Sequence, residues 1–294
     1  GNVGSNNFEN QTDMELPNNE ESINLYNNTS QEKLSGLSPS QTFEIIHNPL
    51  GEKSPIKFRD GINNETLNKI PFFKITEEFL KIIQRDKFIK LTPLGALPKK
   101  IMVELYAYKF IPEDFIESGI TKLWKEDDSI SIKSAKIVCE LAKLTKKVNG
   151  KILLTKNGEK FLKEESRLFL FKQIYLTFTE SFNWSFNDGF VEEPVGQYGS
   201  LFSIYLLLKY GESEKKTLFY SEKYLSVFFN FLPLFVDDYA TPEEQFNNCY
   251  SVRTFERFTN WFGLTYFSEP KNNYDNKNNK IKSTELLTKL FIME

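Results

Sequence analysis

Residues 131–158 read SIKSAKIVCELAKLTKKVNGKILLTKNG, and this stretch predicts three elements in immediate succession. Ser131 can cap a helix, and the apolar residues that follow at helical spacing extend that helix to about Lys147. The dipeptide Asn149-Gly150 favours a type I′ turn, because both residue types tolerate positive φ. A short apolar strand then leads through Leu154-Thr155 into a further helix. We therefore expect a helix, a tight hairpin and a second helix here.

This order of elements is the outline of a winged-helix unit, and the C-terminal part of the chain repeats it more loosely. Thr241-Pro242-Glu243-Glu244 combines an N-cap, a proline at the first helical position and a capping-box glutamate. A second helix is expected over 252–262, followed by a hairpin across the Asn-rich loop 269–279 and a last helix over 284–292. We predict a mainly α fold with two winged-helix-like units, each made of helices and a short β-hairpin.

An aromatic-rich segment separates the two predicted units. The chain contains 28 Phe residues, and many of its aromatic residues fall within 164–236, which predicts a packed helical connector. Residues 1–35 are rich in Asn, Ser, Glu and Gln without apolar periodicity, so we expect a disordered polar tail. The predicted organisation is this tail, an N-terminal helical and winged-helix-like region over 36–163, the connector over 164–236 and a C-terminal winged-helix-like region over 237–294.

The composition excludes several classes of protein. The chain has 294 residues, one His, two Cys and a formal net charge of −3. Two cysteines in apolar surroundings provide neither a disulfide framework nor a zinc site of standard spacing, and they fit a reducing cytoplasm. Glycine motifs that cradle phosphates are missing, and no stretch reaches the roughly 18 apolar residues of a membrane span. We therefore expect a cytoplasmic, non-enzymatic protein, and we assign no catalytic residue, metal ligand or cofactor.

Charge is unevenly distributed along the chain. Residues 81–163 carry 18 Lys and Arg against 10 Asp and Glu, whereas the segments on either side are acidic. A basic stretch within an acidic chain indicates an anionic partner, here duplex DNA or another nucleic acid. The alternative interpretation is a solvated, lysine-rich surface that binds nothing.

The predicted contact surface is the outer side of the helix from Ser131, together with the hairpin behind it. In a winged helix such a helix lies in the DNA major groove, and the wing follows the backbone. Lysine binds phosphates as a point charge and reads bases poorly, so we expect low sequence specificity. The candidate residues are Lys133, Lys136, Lys143, Lys146, Lys147, Lys151 and Lys156, with Arg253 and Arg257 on a second face of the C-terminal helix.

Two alternative functions remain open. A protein-interaction scaffold, for example a subunit of a bacterial defence or toxin–antitoxin-like assembly, would need an exposed apolar patch on the aromatic connector. A hydrolase built on Asp188, within the aromatic loop 184–190, is the least favoured, because a packed turn between helices explains the same residues.

Several segments, in the same order, resemble a module of uncharacterised bacterial proteins. They are Gly36-Leu37-Ser38-Pro39, Leu91-Thr92 with Gly95, Phe182-Asn183-Trp184 with Asn187-Asp188-Gly189, and Tyr250–Phe258 with Gly263-Leu264. The resemblance spans about residues 36–292. Some proteins with this module carry a small SEC-C metal-binding motif elsewhere in the chain. This sequence lacks the cysteines of that motif, so the resemblance implies neither a metal site nor an assigned activity.

Overall fold

A computed structural model describes residues 19–294 and confirms a mainly helical fold with small antiparallel sheets. Across the described range, every helix is too short or too polar to serve as a membrane span. The helices are α1 (Glu20–Asn27), α2 (Pro39–His47), α3 (Asn64–Leu67), α4 (Pro71–Asp86), α5 (Lys99–Tyr106), α6 (Asp114–Glu117), α7 (Ile130–Leu141), α8 (Lys156–Phe161), α9 (Arg167–Glu180), α10 (Ser200–Tyr210), α11 (Thr217–Val227), α12 (Pro242–Ser251) and α13 (Glu285–Leu290). A π-helical segment, Val252–Thr259, continues α12. The strands are β1 (Ile56–Phe58), β2 (Ile89–Lys90), β3 (Thr145–Val148), β4 (Lys151–Leu154), β5 (Lys215–Lys216), β6 (Thr265–Phe267), β7 (Lys280–Ser283) and β8 (Phe291–Met293).

The first unit consists of α4, β2, α5, α7, β3 and β4, with the single-turn α6 between α5 and α7. Strand β4 is the middle strand and pairs antiparallel with both β2 and β3. Asn149 and Gly150 have φ values of 50° and 72°, which confirms the predicted tight turn between β3 and β4. Ile89 and Ile152 lie opposite each other and are buried. They form the inner side of the sheet, which packs on α4.

The second unit repeats this order with α10, β5, α11, α12, β6 and β7. Strand β7 is the middle strand, between β5 and β6. Both units end in the same hydrogen bonds: Thr155 Oγ1 donates to Lys143 O at 2.7 Å, and Thr284 Oγ1 donates to Gly263 O at 2.6 Å. The same threonines cap α8 and α13. The two units therefore share the same order of elements and the same strand order within one chain.

One aromatic core joins the two units, with α9 between them. Phe178 of α9 lies with its ring centroid 5.1 Å from the rings of both Phe72 in α4 and Phe262 after the π-helical segment. Strands β1 and β8 add a further tie, since Phe58 of β1 pairs with Phe291 of β8. The segment before the first unit is thereby attached to the strand that follows the second.

The predicted helix from Ser131 to Lys147 is wrong at both ends. The helix begins at Ile130 with Ser129 as its N-cap, and it ends at Leu141. Lys143 adopts a φ of 60°, and the amide of Leu144 donates a hydrogen bond to Cys139 O at 3.0 Å. This left-handed ending closes the helix. The chain then enters β3. The prediction from apolar spacing alone therefore placed the end of the helix too far along the chain.

Two predicted segment boundaries also differ from the structure. Residues 1–18 of the predicted disordered tail lie outside the described residues. From residue 19 to 35 the chain instead forms α1 and a 3₁₀ turn at Glu32–Leu34, and Asn19 caps α1. The connector predicted over 164–236 is shorter, because β5 pairs with β7 and so includes α10 and α11 in the second unit. Aromatic composition indicates burial, but it does not separate a linker from a folded unit.

Candidate nucleic-acid interface

The outer face of the first sheet carries three lysines. Lys90 of β2 lies directly opposite Lys151 of β4, and Val148 lies opposite Lys151 on its other side. Because side chains alternate along a strand, Lys146 shares this outer face. Lys90 and Lys146 are exposed, and the Lys151 ammonium lies 4.2 Å from the centroid of the Phe88 ring. The sheet thus presents positive charge on the side away from the core.

Three further predicted residues lie at the edge and base of the same hairpin. Lys147 is exposed on β3. Lys143 and Lys156 are also exposed, and their backbones adjoin because Thr155, which precedes Lys156, donates to Lys143 O. We call the set Lys90, Lys143, Lys146, Lys147, Lys151 and Lys156 the basic wing. None of these six forms an ion pair with a carboxylate within residues 19–294.

The absence of counter-charges in the basic wing has an energetic consequence. Like charges directly opposite on neighbouring strands destabilise a sheet. Lys90 and Lys151 are such a pair. In the second unit the corresponding pair is Lys216 and Lys280, and Lys280 has two carboxylate partners, Glu269 at 2.9 Å and Glu214 at 3.4 Å. An anion bound at Lys90 and Lys151 would therefore relieve a repulsion that carboxylates of the chain already offset at Lys280.

The two lysines predicted on the helix itself are not available for such contacts. Lys136 is buried, and its ammonium donates to Glu126 Oε1 at 2.6 Å and to Gly95 O at 2.9 Å. Lys133 pairs with Asp127, and its ammonium lies 5.0 Å from the centroid of the Phe186 ring. Helix α7 packs against both α4 and α9. Most residues of α7 are buried by this packing, so the helix offers little surface to a DNA major groove.

The two arginines predicted on a second face organise a loop instead. Arg253 is buried, and its Nε donates to Asp188 Oδ2 at 2.6 Å while its Nη1 donates to Glu193 O at 2.8 Å. Arg257 donates to Phe186 O at 2.9 Å, and burial lowers the pKa of its guanidinium. The prediction that these two arginines face a nucleic acid is therefore corrected, because both form hydrogen bonds with the loop before α10.

Asp188, the carboxylate considered for a hydrolase, also forms only internal contacts. Its side chain is fully buried in the ion pair with Arg253 and also accepts the amide of Phe190 at 2.8 Å. A carboxylate without solvent contact and with a permanent counter-charge cannot act as a general base on a substrate. Within the described residues, no three His, Cys, Asp or Glu side chains form a cluster suited to a metal ion.

Sequence reasoning missed Lys90 and Phe88 as members of the surface. The available signal was the short alternating run Phe88-Ile89-Lys90, whose Ile89 is buried while its neighbours are exposed. The sequence did not predict the partner strand of this run, because β4 lies some sixty residues further along the chain. No protein-family model, curated protein or solved structure matches the chain. The resemblance to the module of bacterial proteins stays a prediction.

Proposed function

We propose that this chain is a non-enzymatic nucleic-acid-associated or regulatory protein whose basic wing binds the phosphate backbone. The observation that carries the proposal is the uncompensated pair Lys90 and Lys151 on the outer face of the sheet. Phosphates supply the missing negative charge, and their neutralisation by lysine releases counterions. We also propose a cytoplasmic location. The two free, buried cysteines support this location, because thiols persist in a reducing compartment.

We also propose that both units are winged helices. The order α-β-α-α-β-β and the position of the last strand between the other two support this assignment. In the first unit the wing is the β3–β4 hairpin, and contact through the wing alone would leave the buried α7 out of the groove. Because lysines are point charges, the proposed binding has little sequence preference.

The test is fluorescence anisotropy with a labelled DNA duplex over a series of salt concentrations. Changing Lys90, Lys146 and Lys151 together to Ala removes three phosphate contacts, so the slope of log K against log salt should become shallower by about 3. The matched control changes Lys216, Lys280 and Lys282 to Ala on the sheet of the second unit, and it should bind like the unaltered protein.

Absence of duplex binding by the unaltered protein at low salt would overturn the proposal. The same holds if both triple variants weaken binding equally, because general charge rather than the first wing would then be responsible. The alternative of a protein-interaction scaffold would then be preferred, and Val236 and Tyr239, which are 73% and 78% exposed, mark the apolar surface to examine.

A further inference from the structure

One tryptophan projects from a rigid turn of the first unit. Trp124 is 64% exposed, whereas Trp184 and Trp261 are 3% and 5% exposed. The backbone amides of Trp124 and Lys125 both donate to Asp128 Oδ2, at 3.0 and 2.9 Å. The turn is therefore held in one conformation, and the indole is kept in solvent without an aromatic or cationic partner in the described chain.

Trp124 forms one wall of a cleft of about 620 Å³. The opposite wall is the turn after β2, which contributes Pro93, Ala96 and Leu94, whose side chain is 96% exposed. The cleft is thus lined by an aromatic face, short apolar groups and charged residues of both signs, namely Lys99, Lys125, Lys133, Glu126 and Asp127. The two carboxylates already have partners, since Asp127 pairs with Lys133 and Glu126 with Lys136. Neither Lys99 nor Lys125 forms an ion pair with a described carboxylate.

Buried polar contacts fix the two walls relative to each other. Glu126 Oε1 accepts both the Lys136 ammonium, at 2.6 Å, and the amide of Leu97, at 3.1 Å. Lys136 in turn donates to Gly95 O at 2.9 Å. These contacts connect α7, the turn after β2 and the Trp124 segment. The cleft is consequently preformed, so a ligand would lose little free energy in ordering it.

The cleft begins where the basic wing ends. The amide of Leu91 donates to Gly150 O at the tip of the β3–β4 hairpin, at 2.9 Å. The next residue, Thr92, starts the turn that forms the cleft wall, with Gly95 N donating to Thr92 O at 2.8 Å. The wall of the cleft is therefore continuous along the chain with β2, the strand that carries Lys90 of the basic wing.

We propose that this cleft takes an unpaired nucleobase, which stacks on Trp124 while Lys99 and Lys125 contact the adjacent phosphates. The inference rests on the proposed function and specifies its substrate: nucleic acid that offers an unpaired base, at a strand end or in a single-stranded stretch, beside the backbone held by the basic wing. A planar indole beside apolar groups and unpaired cations combines stacking with charge, which is how proteins hold single strands without reading their sequence. Bases inside a duplex are already stacked and cannot enter the cleft.

The experiment uses tryptophan fluorescence and anisotropy with an oligothymidylate and with an abasic oligonucleotide of the same length. Because Trp124 is the exposed tryptophan, thymine stacking should quench the protein fluorescence, and the abasic strand should bind without quenching. Trp124→Ala should weaken oligothymidylate binding about tenfold and leave abasic binding unchanged. Trp124→Phe should retain most of the affinity, since a phenyl ring still stacks.

Tyr274→Ala is the matched control, because Tyr274 is a fully exposed aromatic residue in the loop of the second hairpin. It should bind both strands like the unaltered protein. Equal affinity for the two strands, without quenching and without an effect of Trp124→Ala, would overturn the stacking site and leave the basic wing intact. If neither strand nor duplex binds, the proposed function fails and the stacking site fails with it.

Discussion

The buried arginine side chains of this protein, Arg167 and Arg253, act as internal organisers. Arg253 binds the carboxylate of Asp188 and the carbonyl of Glu193, and Arg167 binds the carboxylate of Glu77. All of these charges lie inside the fold, where an unpaired ion would cost several kcal/mol. The planar guanidinium suits such sites because it donates in several directions at once. Residue type alone therefore misleads when arginines in a helix are assigned to a nucleic-acid surface.

Glu77 gives a pH-dependent prediction at the residue scale. Burial favours the protonated acid, but hydrogen bonds from Arg167 at 2.7 Å and Lys74 at 3.0 Å outweigh it, and the pKa of Glu77 lies below its usual 4.5. A lowered pKa stabilises the folded state above about pH 4.5, and this stabilisation is lost as pH falls through the folded pKa. Glu77→Gln should cost about 3–5 kcal/mol at neutral pH, since Arg167 stays buried without its partner.

Urea unfolding at neutral pH and at several acidic values would measure this effect. The stability difference between the unaltered protein and Glu77→Gln should shrink towards acid, because the wild-type carboxylate becomes protonated. Glu78→Gln is the control, since Glu78 meets Lys81 at 3.6 Å and Lys74 at 3.8 Å near the surface and should matter little. A difference that stays constant with pH would contradict the lowered pKa.

At the scale of single elements, the two units end their core helices with different residues in the same left-handed conformation. Each core helix must end within one turn so that the chain can enter a hairpin. In the second unit Gly263 adopts the left-handed conformation with a φ of 72°, and in the first unit Lys143 does so with a φ of 60°. Glycine adopts this conformation without steric cost, whereas a residue with a Cβ pays about 1–2 kcal/mol.

Lys143→Gly should therefore stabilise the protein by about 1 kcal/mol, as measured by urea unfolding. The reverse change in the second unit, Gly263→Ala, should destabilise it. A Cβ there would meet Leu286 Cδ2 at 3.0 Å and Lys69 O at 3.1 Å, and the backbone conformation is unfavourable for alanine. Loss of stability in Lys143→Gly would contradict the left-handed ending of α7.

Elements with local signals were predictable. Thr241 and Glu244 form the expected capping box, with Thr241 Oγ1 accepting the Glu244 amide at 3.2 Å, and the Asn149-Gly150 turn is present. The end of α7 was not predictable from apolar spacing, since Leu144 and Val148 continue that spacing after the helix has ended. Leu144 is buried, whereas Val148 is 43% exposed and lies on β3 opposite Lys151 of β4. The strand that replaces the helix here is fixed by pairing with β4, which is an interaction beyond one turn of helix.

For the whole molecule, the shared aromatic core predicts a single cooperative unfolding transition. Phe291 of β8 is buried, and its ring lies 5.3 Å from Phe58 and 5.7 Å from Tyr175, which connects β1, α9 and the second unit. Phe291→Ala should lower the free energy of unfolding by about 3–5 kcal/mol, because a buried aromatic ring is replaced by a cavity.

Circular dichroism and tryptophan fluorescence should report coincident urea transitions, and both should shift together in Phe291→Ala. Met293→Ala on the same strand is the control, since Met293 is 43% exposed and should contribute little. Separate transitions for the two probes would mean that the two units unfold independently, contrary to a core that both of them share.

The amino-acid sequence was sufficient for the helical class, the capped helix start at Thr241, the tight hairpin and the concentration of lysine in residues 81–163. Each of these follows from interactions between near neighbours or from composition. Only the tertiary structure decided which lysines meet solvent, because burial depends on segments far apart in the chain. Helix α9 covers α7, Glu126 neutralises Lys136, and β4 brings Lys151 opposite Lys90. The number of lysines in this region is thus visible in the sequence, whereas their exposure to solvent is set by packing between segments far apart in the chain.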